Sequence, residues 1–201
     1  YTVRLSAENA LGRYERDLRI VVGDEIALTP PMGWNSWNCW ARDVTQEQIL
    51  SSARAMVEKG LADHGWSYIN IDDGWQGRRG GRYNAIQPNK KFPDMAALTR
   101  EIHDMGLRVG IYSTPWIGTY AAHIGSYSDR PDGENEWIEK GLHNENYRYQ
   151  KPGGNYWEDR CEVWHHGPYS FVEADVKQWA EWGIDYLKYD WHPVSYTHLR
   201  A

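Results

Sequence analysis

From Pro31 to Asp190 the hydrophobic period of the chain switches repeatedly, and that alternation limits the fold more than any other feature. Four short runs rich in β-branched and aromatic residues read as strands: MGWNSW (32–37), YINIDD (68–73), LRVGIYS (107–113) and YLKYD (186–190). Between them lie stretches of helical period. Thr45-Gln46-Glu47-Gln48 is a capping box that opens a helix with Ile49, Ala53, Met56 and Val57 on one face. Asp94 starts a second helix with Leu98, Ile102 and Met105 inward, and Gly106 stops it. FVEADVKQWAEWG (171–183) is a third, again closed by a glycine. Strands that alternate with amphipathic helices imply parallel βα units and an α/β fold.

Two regions depart from that rhythm. Residues 1–23 alternate apolar and polar residues on both sides of ENALG (8–12). Tyr1, Val3, Leu5 and Ala7 share one face, and Leu18, Ile20 and Val22 share another, which predicts a β-hairpin. Two strands are not independently stable, so this hairpin reads as the end of a β-sandwich module. GDEIALTPP (23–31) then serves as a proline-stiffened linker. The second region is a long insert, 114–170, with many Trp, Tyr, Gly and Asn and no clear period. Structureless loops of that length are uncommon and usually functional or disordered, and the aromatic content here predicts an ordered active-site loop.

Composition narrows the partners. A net charge of −6 argues against nucleic acid and anionic membranes, which favour basic faces. No run of about 18 apolar residues reads as a membrane span. Trp 12 and Tyr 14 stand against Phe 2, so nearly every aromatic ring carries a polar handle. Such rings suit a hydroxyl-rich ligand, although a Trp-rich core would use them too. Cys39 and Cys161, the only cysteines, leave pairing open. No Cys or His cluster has metal-ligand spacing, the adjacent His165-His166 included, so neither metal nor cofactor is expected.

The polar residues that invite chemistry all end predicted strands: Asn35-Ser36-Trp37, Asp72-Asp73-Gly74-Trp75, Tyr112-Ser113 and Lys188-Tyr189-Asp190-Trp191. In a (β/α)8 barrel that end is the catalytic face. Neighbouring carboxylates accept hydrogen bonds from neighbouring hydroxyls, and a Trp face stacks on the C–H surface of a sugar. Lys188 and Asp190, two apart on a strand, point to one side, where the ammonium favours an ionised carboxylate able to act as nucleophile. Each has a plainer reading. Asp72-Asp73 would cap a turn, Lys188 and Asp190 would form an ordinary ion pair, and Trp34 and Trp37 would be core.

Together TPPMGWNSWN (29–38), YINIDDGW (68–75), GLRVGIYS (106–113) and WGIDYLKYDW (182–191) resemble glycoside hydrolase family 27, the melibiase or α-galactosidase family. The resemblance implies a (β/α)8 TIM barrel, here about its first four βα units over residues 24–194, preceded by the last strands of an immunoglobulin-like module in residues 1–23. It implies a retaining mechanism with Asp190 as nucleophile, and Trp37, Asp72, Asp73, Tyr112 and Lys188 as residues that bind the sugar. It also implies a carbohydrate substrate and an extracellular or periplasmic bacterial setting, and leaves the oligomeric state open.

The family's acid/base follows a later strand and is expected beyond Ala201. Glu158, Asp159 and Glu162 in the insert have no spacing that recommends them. Residues 195–201 depart from the family and resemble translated sequencing-adapter sequence, a non-native tail. The chain is thus expected to be an inactive fragment of an enzyme that removes terminal α-linked galactose. Other family specificities stand as alternatives: β-L-arabinopyranosides, α-N-acetylgalactosaminides or isomaltose units. So does a non-catalytic carbohydrate-binding protein, and more remotely an α/β scaffold unrelated to sugars.

Overall fold

A computed structural model describes residues 2–19, 31–119, 121, 123–133 and 167–190. Residues 1, 20–30, 120, 122, 134–166 and 191–201, which include most of the linker, much of the insert and the tail, lie outside the described residues. With them go the expectations on Ile20, Val22, Glu158, Asp159, Cys161, Glu162, His165 and His166. The chain divides into two units, residues 1–31 and 32–201.

The described residues of the first unit form a hairpin. β1 (Thr2–Asn9) pairs antiparallel with β2 (Gly12–Arg19) through a turn at Ala10-Leu11, where the Asn9 side-chain oxygen accepts the Leu11 N–H at 2.8 Å. The register sets Val3 opposite Leu18 and Ala7 opposite Tyr14, so the apolar positions of both strands share one face, not two.

The second unit is built from βα units. β3 (Gly33–Asn35) is shorter than the sequence predicts: Ser36 leaves the strand and begins the one-turn helix α1 (Trp37–Trp40). α2 (Gln46–Glu58) opens on the predicted capping box, the Gln48 N–H donating to Thr45 Oγ1 and the Thr45 N–H to Gln48 Oε1. Its buried face is Ile49, Leu50, Ala53 and Met56. Val57, expected inward, lies on the same stripe but is exposed in the last turn of the helix, one residue before its end.

β4 (Tyr68–Ile71) is followed by a hairpin that the sequence pattern did not show, β5 (Gln76–Gly80) and β6 (Ala85–Pro88). α3 (Met95–Asp104) is capped by Asp94, whose carboxylate accepts the Ala97 N–H. β7 (Arg108–Ser113) comes next. Within the insert a two-residue antiparallel pair forms, β8 (Tyr127–Ser128) with β9 (Tyr169–Ser170), the second at its end. α4 (Val172–Trp182), closed by Gly183 in the left-handed region, leads to β10 (Tyr186–Tyr189).

β3, β4, β7 and β10 form one parallel sheet in that order, so each new strand adds beside its predecessor. This is the succession expected of consecutive barrel units. One face carries Ile69, Ile71, Val109 and Ile111, which pack with Ile49, Leu98 and Ile102 of the helices into a dry core. The other face carries Tyr68, Asn70, Gly110 and Tyr186, and of these Asn70, Gly110 and Tyr186 sit in register across three strands. A Cβ at Gly110 would lie 1.8 Å from Asn70 Oδ1 and 2.9 Å from Tyr186 Cδ1, so only glycine fits between them. Above that gap Tyr68 and Tyr186 meet edge to face at 5.9 Å.

Candidate active site

The parallel register brings the predicted residues together. Lys188 stands opposite Tyr112 on the neighbouring strand, and the Asp190 N–H donates to the Ser113 carbonyl at 2.9 Å. Asp72 and Asp73 leave the end of β4 one strand further on. Three chain segments far apart in sequence therefore deliver their polar ends to one edge of one sheet.

Asp190 is held by Tyr112, whose hydroxyl donates to Asp190 Oδ2 at 2.9 Å. Burial, and then the charges of Asp73 and Asp190, push the Tyr112 hydroxyl well above its usual range, so it stays a proton donor. Tyr112 is fixed from behind, since the Trp75 indole N–H donates to its carbonyl at 2.9 Å. Trp75 itself is fully buried and meets Trp182 edge to face at 6.0 Å. Of the two tryptophans nearest the sequence motifs, Trp34 packs against the core, while Trp37 is half-buried at the start of α1 with its N–H on Asn35 Oδ1.

Lys188 has a partner that the sequence did not point to. Its ammonium crosses the Tyr112 ring, 5.1 Å from the centroid, and reaches Asp72 Oδ2 at 2.8 Å. Strand parity put Lys188 and Asp190 on one side, but it could not show a carboxylate arriving from two strands away. Asp72 is buried, and its N–H donates to the Ser36 hydroxyl at 2.9 Å. Ser36, marked in the sequence among the strand-end polar residues but given no role there, thus supports Asp72. Its only signal was its place at the end of the first strand.

Asp73 is the most enclosed carboxyl of the site. Thr119 Oγ1 donates to one oxygen at 2.8 Å and the Ala121 N–H to the other. Burial pushes its pKa up to about 7, with the neighbouring Asp72 adding to the rise and the Ala121 and Thr119 hydrogen bonds opposing it. The turn that follows requires glycine: Gly74 has φ of +116°, and a Cβ there would lie 2.6 Å from the Arg42 carbonyl oxygen. Thr119 and Ala121 belong to the opening of the insert, so part of that region is ordered site wall. No motif marked these two residues in advance.

Trp37, Asp72, Asp73, Tyr112, Lys188 and Asp190 are thus all placed at the strand ends, five of them linked by hydrogen bonds. Asp72 Oδ1 takes the Asp73 N–H and Oδ2 takes Lys188, and a carboxylate oxygen has capacity for a further donor such as a sugar hydroxyl. Among the described residues no group of three or more His, Cys, Asp and Glu is placed to hold a metal ion. Among them also, no helix is long and apolar enough to cross a membrane.

Comparison with known proteins gives this arrangement a context. Residues 29–143 match a family model described as alpha galactosidase A, a melibiase. The alpha-galactosidase A of Cellvibrio japonicus is 35% identical over 170 residues, 84% of this chain and 31% of that protein. The crystal structure of alpha-galactosidase I from Mortierella vinacea is 31% identical with a TM-score of 0.58, over 84% of this chain and 32% of that one. A Saccharomyces cerevisiae alpha-galactosidase solved with raffinose is 25% identical with a TM-score of 0.57, over 82% and 27%. The chain spans a little under a third of the length of the curated relatives it matches.

Proposed function

The chain belongs to the melibiase family of alpha galactosidase A, and from that premise we propose that it carries the nucleophile and the sugar-binding half of a retaining α-galactosidase. One observation supports this most directly: Tyr112 holds Asp190 at the end of β10 beside the Asp72–Lys188 pair, so a carboxylate and a hydroxyl-binding group share one strand edge. A non-catalytic sugar-binding module would not need a carboxylate oriented by a buried, permanently protonated tyrosine.

In the proposed reaction an Asp190 oxygen attacks the anomeric carbon while the glycosidic bond breaks, which gives a covalent glycosyl-enzyme and releases the aglycone as its alcohol. Tyr112 fixes the plane of the nucleophile. Lys188 and Asp72 offer the sugar hydroxyls a donor and an acceptor, Asp73 backs Asp72 through its N–H, and Trp37 supplies an aromatic wall. A proton donor about 5–5.5 Å from Asp190 must protonate the leaving oxygen and later activate water. We place that residue on a strand of the same barrel that these 201 residues do not include, in keeping with their share of the relatives' length. On this reading the 201-residue chain alone does not hydrolyse glycosides.

Galactose is the preferred sugar because relatives at 31–35% identity carry the name α-galactosidase or probable α-galactosidase. The solved structures with the other specificities, an α-N-acetylgalactosaminidase and a β-L-arabinopyranosidase, fall below 25% identity. The test is a panel of 4-nitrophenyl glycosides offered to the full-length protein, with NMR of the first-formed sugar. Fastest release from the α-galactoside, with α-galactose formed first, supports the reading. A preference for another glycoside, or β-galactose first, refutes it.

A further inference from the structure

Arg79 on β5 is almost fully buried, yet it touches none of the proposed sugar-binding residues. Its guanidinium is gripped by Asp175 of α4 through two bonds, Nη1 to Oδ1 at 2.7 Å and Nη2 to Oδ2 at 3.2 Å. Asp175 is also fully buried, and its Oδ1 accepts the Ile86 N–H at 2.9 Å as well. The guanidinium stacks on the Phe171 ring, 4.2 Å from the centroid. Its remaining strong contact is the informative one: Nη2 donates to the Gly125 carbonyl at 2.6 Å.

Gly125 lies in a narrow hairpin that opens the insert. Gly118 and Ile124 form an antiparallel bridge, the Gly125 N–H donates to the Ile117 carbonyl at 3.0 Å, and the Thr119 N–H donates to the His123 carbonyl at 2.8 Å. The tip of this hairpin supplies Thr119 and Ala121, which hold the two oxygens of Asp73. Its base rests on Arg79. Ile117 and Ile124 are the hairpin's buried apolar side chains, and Arg79 adds a polar anchor at Gly125 that fixes its backbone.

We infer that Arg79, locked by Asp175, is a positioning residue of the sugar site: through the Gly125 carbonyl it sets the hairpin that grips Asp73. The Gly125 carbonyl takes a donor that the Asp175 carboxylate leaves over. Bidentate Arg–carboxylate geometry leaves Nη2 aimed with little freedom, so the carbonyl it meets is fixed in space with it. Lysine in its place keeps a charge for Asp175 but loses the planar fork that serves both partners at once.

This inference rests on the proposed role of Asp73 in binding galactosides, and the experiment separates the two. In the full-length protein, R79K, T119V and the double variant are compared for turnover of 4-nitrophenyl α-galactoside and for the titration of the Asp73 carboxyl carbon by NMR. We expect R79K to raise KM about tenfold with kcat little changed, as for a lost interaction with bound sugar. T119V should do the same. The double variant should exceed T119V by no more than about twofold, because both lesions loosen one grip. The Asp73 midpoint, near 7 in the parent, should fall by about one unit or more in R79K as water reaches the carboxyl. The groups facing it, Asp72, Tyr112 and Lys91, are unaltered in these variants.

Multiplying KM effects in the double variant, or a lower melting temperature with KM and the Asp73 midpoint unchanged, would overturn the inference and leave Arg79 as a stability residue. Should R79K not fold, D175N keeps the shape and one acceptor and takes its place with the same expectations. If the parent turns over no galactoside, the proposed function fails, while the Asp73 midpoint in R79K still decides what Arg79 does.

Discussion

Replacing Asp73 with asparagine isolates the strongest electrostatic feature of the site. The carboxyl is fully buried and its pKa stands at about 7 in the folded chain against 3.8 when exposed. Between those values the native state holds a proton that the unfolded state has released. Stability from this group is therefore full below pH 4, declines as pH rises, and is lost once pH passes 7. A rise of about three units corresponds to on the order of 4 kcal/mol across that window. The Asp73→Asn side chain has the same shape and cannot ionise, and its oxygen can still accept the Ala121 N–H. Urea unfolding followed by tryptophan fluorescence, at steps from pH 4.5 to 8, measures both proteins. Asp175, also raised by burial, titrates in both, so the difference between the two curves belongs to Asp73. The variant should lose most of the parent's decline and become the more stable of the two near pH 8. Parallel curves would refute the claim that burial, rather than compensating hydrogen bonds, governs this carboxyl.

Two further outcomes follow from the geometry. Lys188→Met leaves Asp72 buried without its ammonium; because the Lys188 side chain is more than a third exposed, we expect a loss of only about 1–2 kcal/mol in chemical denaturation, but a fall in kcat/KM of at least about tenfold in the full-length enzyme. Gly110→Ala drives a methyl into Asn70 and should cost about 1–3 kcal/mol in the same assay, with much of it regained in the double variant Gly110→Ala/Asn70→Ala.

The strand–helix succession was legible because each unit carries local signals. Apolar period marked the strands and helices, Thr45 and Asp94 marked two starts, and Gly106 and Gly183 marked two stops. The β5–β6 hairpin was not legible. QGRRG has no apolar alternation, and Arg79 is buried there only because Asp175, 96 residues later, neutralises it. Long-range polar pairing leaves no mark on local hydrophobicity. The same limit explains Lys188. Its side of the strand could be read from parity, but its carboxylate comes from β4 across β7, and sheet order is a tertiary fact. Thr119 and Ala121 were hidden for a different reason: they act through a hydroxyl and a backbone N–H at a hairpin tip, residue types that carry no chemistry of their own in a sequence.

The central claim is that Asp190 is the nucleophile, and it is tested most directly by trapping it. The full-length protein is incubated with 2-deoxy-2-fluoro-α-galactosyl fluoride, digested, and the peptides are identified by mass spectrometry. One fluorogalactosyl adduct is expected, on the Asp190 side chain, formed as activity is lost and hydrolysed slowly once the reagent is removed. An adduct on Asp72 or any other carboxylate, or full inactivation of an Asp190→Ala variant by the same reagent, would contradict it.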